Sequence, residues 1–282
     1  MNKPDHPADA AEAAHDGMPP PTPLDDPPAG VTARSPGPKD RPAKKESWFE
    51  VGKTIFYALL IAAVIRSFLF QPFNIPSGSM EATLLIGDYL FVSKSAYGYS
   101  RYSFPFAIFP FDGRFLAGTP QRGDIVVFKY PVDNTTDYIK RLIGLPGDRV
   151  QMKEGVLYIN DQPVPKVRVE DYVEAVGGQP HHVPQYKETL PNGVSYYVLD
   201  REPEGNLDDT QVFVVPEGHY FMMGDNRDNS ADSRVDVGYV PFENFVGKAE
   251  IIFFSTDGSA RLWEIWKWPF AIRYERIGEL TR

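Results

Sequence analysis

Ile125-Val126-Val127-Phe128-Lys129-Tyr130, followed by Tyr138-Ile139-Lys140-Arg141-Leu142-Ile143 and the turn residues Pro146-Gly147-Asp148, is the stretch whose reading decides the fold. Short runs of β-branched and aromatic residues closed by Pro-Gly-Asp read as strands, because branched side chains pack well on a pleated surface while Pro and Gly preset the turn. The pattern continues outward through residues 150–152, 156–159, 196–199, 212–215, 220–223 and 249–254, with Asn160-Asp161 as a further turn signal. No long helical period interrupts these runs. A mainly antiparallel β domain over residues 71–282 is therefore expected. Two segments read as insertions in it, near residues 95–120 and 165–210: the first is rich in Phe, Pro and Gly, the second polar.

Upstream the pattern changes to WFEVGKTIFYALLIAAVIRSFLF, residues 48–70, whose length as a helix is about 34 Å, just enough to cross a bilayer. Lys44, Lys45 and Lys53 precede its apolar centre, so the excess of positive charge places the N-terminus in the cytoplasm and the β domain outside. Arg66 lies close enough to the end of the span to reach the headgroups with its guanidinium. A buried core helix is the rival reading of the segment. A cleavable signal peptide fits less well, since the segment starts far into the chain and no small-residue cleavage site precedes the polar region. Residues 1–47 carry 11 of the 27 prolines and almost no large apolar side chains, which predicts a disordered tail.

The 282 residues, 42% of them hydrophobic, suffice for a substantial core. A net charge of -9 gives no broad basic field for phosphates, so nucleic acid is not an expected partner. The absence of cysteine excludes disulfides, thiolate metal sites and cysteine catalysis.

Three segments could carry chemistry. Pro76-Ser77-Gly78-Ser79-Met80-Glu81 places two hydroxyls on constrained backbone just after the apolar span, where a turn leading to a helix N-cap at Ser79 is the plain alternative. A serine nucleophile needs a base, and the histidines are poorly placed: His6 and His15 lie in the tail, His181 and His182 in a polar insertion, and His219 after a turn. A lysine can serve if burial brings its pKa from about 10.4 toward 7 or 8. Lys140 has an apolar strand around it, with Lys129 as competitor, and an outward-facing strand lysine is the ordinary reading of either. The third segment is the polar Gly224-Asp225-Asn226-Arg227-Asp228-Asn229-Ser230-Ala231-Asp232-Ser233-Arg234. As a calcium loop it fits badly, because its acids miss the alternate-residue spacing and Ser230 stands at the position of the turn glycine, so no metal is expected there. Gly52-Lys53-Thr54 ends like a phosphate-binding loop but lacks its first glycine, which is Ser47 here, so no nucleotide is expected.

Together, Pro76-Ser77-Gly78-Ser79-Met80, Asp137-Tyr138-Ile139-Lys140-Arg141 with Gly144-Leu145-Pro146-Gly147-Asp148, and the loop 224–234 resemble the ordered motifs of the type I bacterial signal peptidases. The resemblance extends from the apolar span to about residue 255 and implies that family's antiparallel β catalytic fold. It implies Ser79 as nucleophile, Lys140 as general base, Ser77 as oxyanion-hole donor with the Ser79 N–H, and Ser230 as the group orienting the lysine. Asp232 with Arg141 or Arg234 resembles the family's supporting ion pair. One membrane span, where some members have two, and the long Pro-rich tail depart from the pattern.

The resulting expectation is a cofactor-free Ser/Lys endopeptidase, single-pass in the bacterial inner membrane with its catalytic domain on the outer side. It would cut signal peptides from membrane-inserted preproteins after small residues, with the lipid bilayer and the secretion machinery as further partners. A self-cleaving repressor-type Ser/Lys protease would need a DNA-binding domain in place of the anchor, and an inactive membrane-anchored scaffold would have no need of both Ser79 and Lys140. Two aromatic clusters are candidates for contact with the outer leaflet: Trp263, Trp266, Trp268 and Phe270 with Lys267 and Arg273, and Phe104, Phe106, Phe109, Phe111 and Phe115. Either could instead close the β core.

Overall fold

Pro72 disfavours helical backbone at Gln71, and the helix that opens the structure ends accordingly at Phe68, two residues before the expected limit of the apolar span. The computed structural model describes residues 48–104, 111–176, 179–202, 204–261 and 263–281; the tail expected over residues 1–47 lies outside these. Helix α1 (Trp48–Phe68) has 21 residues, about 31 Å, and none of its side chains is buried. Among the described residues it is the one helix long and apolar enough to cross a membrane.

Sixteen strands follow in the order β1 (Phe70–Asn74), β2 (Asp88–Ser93), β3 (Ile125–Lys129), β4 (Asp137–Gly144), β5 (Arg149–Lys153), β6 (Val156–Ile159), β7 (Gln162–Pro163), β8 (Lys166–Arg168), β9 (Tyr172–Val176), β10 (Gln179–Val183), β11 (Gln185–Thr189), β12 (Ser195–Leu199), β13 (Phe213–Val214), β14 (His219–Met223), β15 (Val240–Pro241) and β16 (Phe245–Ser255). Each of the eight apolar runs read from the sequence overlaps one of them, β3 stopping at Lys129 and β13 covering only Phe213–Val214, and every strand pairing is antiparallel. The hairpin turns have the chemistry their geometry demands. Asn160 and Asp161, between β6 and β7, both take positive φ, 53° and 63°, the paired left-handed conformation of a two-residue hairpin loop that Asn and Asp tolerate.

Seven strands form the main sheet, ordered β1-β2-β16-β3-β4-β14-β15. The last-made strand, β16, thus joins the β1–β2 pair to β3 and β4. A second sheet is ordered β13-β5-β6-β7, and the polar segment expected as an insertion carries the sheet β12-β11-β8 and the hairpin β9–β10.

β4 is buried over its last six residues on both faces, so its side chains serve different cores. Ile139 packs with Ile75, Met80, Leu84, Leu90 and Val92. Leu142 packs with Val126, Phe128 and Phe245, and Ile143 with Val150, Leu157 and Phe221. Full burial of a side chain such as Met80 stabilises by about 1.5–3 kcal/mol, enough to fix the turn that contains it.

Candidate active site

The turn that follows β1 is a single 3-10 turn, Gly78–Met80, held from both sides by the buried Ile75 and Met80. Ser79 lies within it and is buried. The residue at the N-cap position is Ser77, two residues earlier than a cap at Ser79 would require. Its backbone is extended and its hydroxyl makes no capping bond. That hydroxyl is free for another role, and it lies 3.5 Å from Ser79 Oγ. Asn226 fastens the turn to the loop 224–234: its backbone N–H donates to Ser79 O at 3.1 Å and its Nδ2 to Gly78 O at 3.0 Å.

Lys140 enters from β4, opposite Val126 of β3. Only 3% of it is exposed, and Nζ lies 2.7 Å from Ser79 Oγ and donates to Ile139 O at 3.0 Å. Burial lowers its pKa from the usual 10.5 to about 8, against the opposing pull of the Asp232 and Asp225 charges. The competitor, Lys129, is spent elsewhere: it pairs with Asp137 at 2.8 Å and donates to Thr135 O. Of the described histidines, His181 faces Glu174 and His182 faces Asp171, while His219 contacts Glu217 O.

The loop 224–234 supplies the remaining groups. Ser230 is buried beside the Ser79 turn, and its Oγ has no hydrogen-bond partner among the described residues, so the bond to the lysine implied by the resemblance is not formed here. Arg234 holds Asp232 through two bonds of 2.9 and 2.8 Å. Burial pushes the Asp232 carboxyl up, but the Arg234 guanidinium and the N–H groups of Gly224 and Arg234 prevail and hold it below the ordinary range. Of the two arginines considered for Asp232, Arg141 goes elsewhere: it makes a two-bond pair with Asp225, at 2.8 and 2.7 Å, and lies over the Tyr196 ring. Asp225 and Asp232 are thus committed to arginines, which removes them as joint ligands of a loop-bound cation.

Residues 48–254 match a family model described as signal peptidase, peptidase S26. A signal peptidase I of Rickettsia conorii is 49% identical over 208 residues, which is 71% of this chain and 77% of that protein. The chain belongs to the signal peptidase I family. Another family member, from Rickettsia canadensis, is 47% identical over 212 residues, 72% of this chain and 79% of that protein. A crystal structure of a signal peptidase I from Enterococcus faecalis shares 32% identity, covers 46% of this chain and 96% of its own, and has a TM-score of 0.29.

Signal peptidases of this family are serine peptidases, and here Ser79 and Lys140 open onto a cleft of about 310 Å³ whose walls include Phe73, Pro76, Ile139 and Ala231. Sequence reading missed the signal peptidase's Asn226 and Glu81. Asn226 Nδ2 also donates to Glu81 Oε2 at 3.0 Å, and Arg201, from beyond β12, reaches the same carboxylate at 3.0 Å. Arg201 also pairs with Glu174 of β9, so the polar segment is tied to the Ser79 turn. Glu81 adjoins the quoted serine motif, but no local spacing connects it to Arg201.

Proposed function

We propose that this signal peptidase works by a Ser/Lys dyad, with Ser79 as nucleophile and Lys140 as general base, and cuts membrane-inserted preproteins after small residues at the end of their signal peptides. The observation that carries this reading is the 2.7 Å approach of a buried lysine amine to Ser79 Oγ. With a pKa of about 8, roughly 9% of Lys140 is neutral at pH 7, about 300-fold more than for a lysine at 10.5. The neutral amine accepts the Ser79 proton as Oγ attacks the scissile carbonyl. The oxyanion is met by the Ser77 hydroxyl and the Ser79 N–H, and the Lys140 ammonium returns its proton to the leaving amine. Water, deprotonated by the same amine, then attacks the acyl-enzyme, and the ammonium returns that proton to Ser79 Oγ as the acyl group leaves as a carboxylate. Ser79, Lys140 and water account for every proton transfer. Short apolar side chains before the cut, as in Ala-x-Ala, suit the walls formed by Phe73, Pro76, Ile139 and Ala231.

Helix α1 is the single-pass anchor in the bacterial inner membrane, with residues 1–47 inside the cell and the peptidase unit outside. The bilayer is met by Trp263, Trp266 and Phe270, which are 67%, 66% and 88% exposed. In the other aromatic cluster, Phe104 and Phe115 pack against the described chain. Phe104 is buried edge-on against Phe68 at the end of α1, and Phe115 stacks on Tyr99; Phe106 and Phe109 lie outside the described residues. The secretion machinery that delivers preproteins is a further partner.

The test is cleavage of a preprotein by the full chain in detergent, with the product masses measured. A single cut after a small residue, lost in Ser79→Ala and in Lys140→Ala while both remain folded, is expected. Near-normal turnover by either variant overturns the dyad.

A further inference from the structure

Away from the cleft, three aspartates from separate segments converge. Asp200 follows β12, Asp208 precedes β13, and Asp228 lies in the loop 224–234; one carboxylate oxygen from each lies within 4.8 Å of the others. In each, the protein engages one oxygen. Asp200 Oδ2 accepts from Lys166 Nζ at 2.8 Å, Asp208 Oδ2 from the Gly205 N–H at 2.7 Å, and Asp228 Oδ2 from the N–H groups of Arg201 and Glu202 at 2.6 and 3.0 Å. No donor among the described residues reaches the second oxygen of any of the three. The case is sharpest at Asp200, which is 7% exposed and whose Oδ1 is buried without a partner.

Two glycines border the cluster. A Cβ at Gly155 would lie 3.5 Å from Asp208 Oδ1, and one at Gly205 would lie 3.4 Å from Asp228 Oδ1. Three carboxylates therefore converge with one cation, Lys166, in contact. A buried carboxylate oxygen without a donor is costly, and adjacent like charges add to that cost. Either a proton shared between two carboxyls or a bound cation would relieve it. A shared proton serves two of the three acids, whereas a cation can be met by one oxygen from each. An all-oxygen donor set with no nitrogen or sulfur selects a hard divalent ion, and ligands from separate segments suit the irregular coordination of calcium better than the strict octahedron of magnesium.

We propose that Asp200, Asp208 and Asp228 bind a calcium ion through the oxygens left open by the protein, and that the ion ties the loop 224–234 to the end of β12 and to the segment before β13. Its role is positional. Asp228 stands two residues before Ser230, so the ion braces the loop that packs against the Ser79 turn, at a distance from the reacting atoms.

The experiment uses the full chain in detergent, stripped with EDTA and then titrated with calcium chloride alone, with magnesium chloride in parallel. Calorimetry should show one calcium per chain. Thermal unfolding should shift upward by about 5–10 °C at a hundredfold excess over Kd. Magnesium should give a smaller shift at the same concentration. Asp208→Asn, which keeps the side-chain shape, should lose both the binding heat and the shift. If Asp208→Asn does not fold, Asp200→Asn serves in its place, and the wild-type stoichiometry still decides. The proposal is overturned if the wild-type protein binds no calcium at millimolar concentration, or if Asp208→Asn responds to calcium as the wild type does. It is equally overturned if the wild type ignores calcium and Asp208→Asn is the more stable protein in EDTA, the signature of a shared proton.

Discussion

Gly224 and Ser230 are packed so closely that a Cβ on Gly224 would fall 2.2 Å from Ser230 Oγ, and the same atom would fall 2.5 Å from the carbonyl oxygen of Ser79. The serine side chain could rotate away, but the carbonyl belongs to the turn that Asn226, Ile75 and Met80 hold in place. Gly224→Ala is therefore expected to displace the nucleophile and to lower kcat by about 10²-fold or more, since misplacement by an ångström has that effect on a positioned reaction. Steady-state kinetics beside circular dichroism checks it. A folded variant with wild-type kcat would show that the turn yields easily.

The pH dependence follows from Lys140. With its pKa at about 8, log kcat/KM should rise with unit slope below that pH and level off above it, as the neutral base accumulates. The same burial opposes folding. The unfolded lysine keeps its proton up to about 10.5, so the penalty is fully present below about pH 8 and fades as pH rises toward 10.5. Lys140→Met should therefore abolish turnover yet raise stability at pH 7, by at most about 3 kcal/mol. Urea unfolding at pH 7 measures it, and a destabilised variant would mean that the amine gains more from its contacts than it loses by burial.

Ser77→Ala should lower kcat by about 10² to 10³ with little change in KM, because an oxyanion donor strengthens its bond chiefly in the transition state. Ser77→Thr, which keeps the hydroxyl, should be milder. A loss confined to KM would make Ser77 a ground-state contact.

Asp232 raises the Lys140 pKa by its charge, and Asp232→Asn should accordingly move the rise in the pH–rate profile to lower pH. It should also cost about 3–5 kcal/mol in stability, since the Arg234 guanidinium, 1% exposed, is left without its carboxylate. An unchanged profile in a folded variant would separate Asp232 from the base.

Changing Trp263, Trp266 and Phe270 to Ser should weaken binding of the full chain's peptidase unit to lipid without unfolding it. Flotation with vesicles of a chain beginning at Leu69, which keeps β1 whole, is the measurement. If that shortened chain ignores vesicles and is fully active in buffer, α1 alone positions the enzyme.

Strands with a plain apolar signal were legible because the main sheet is buried: β3 is Ile-Val-Val-Phe before Lys129, and β4 carries Ile139, Leu142 and Ile143 around Lys140 and Arg141. β1 was hidden because the apolar span runs into it, so Phe70 could belong to either. β10 was hidden because four of its five residues are exposed, and His181 and His182 carry no period that marks a strand. At the site, Ser79, Ser77 and Lys140 were legible as candidates because each stands in a short motif. The choice of Arg234 over Arg141 for Asp232 was not, since it depends on Asp225 presenting both oxygens to Arg141 across a separation of 84 residues. Glu81 and Arg201 meet over 120 residues, and no spacing rule reaches that far.

The place of β16 has a consequence for the newborn enzyme. The proposed nucleophile Ser79 follows β1 and the proposed base Lys140 lies on β4, yet the ladder joining those two halves is completed by residues 245–255, which are synthesised after both. A chain made only as far as β15 therefore carries both residues without the frame that brings them within 2.7 Å. Until that strand pairs, the chain is expected to be inert, and a chain cut before Phe245 should stay inert. Maturity is thus expected to be reported by β16, which follows every other strand of the main sheet in the chain.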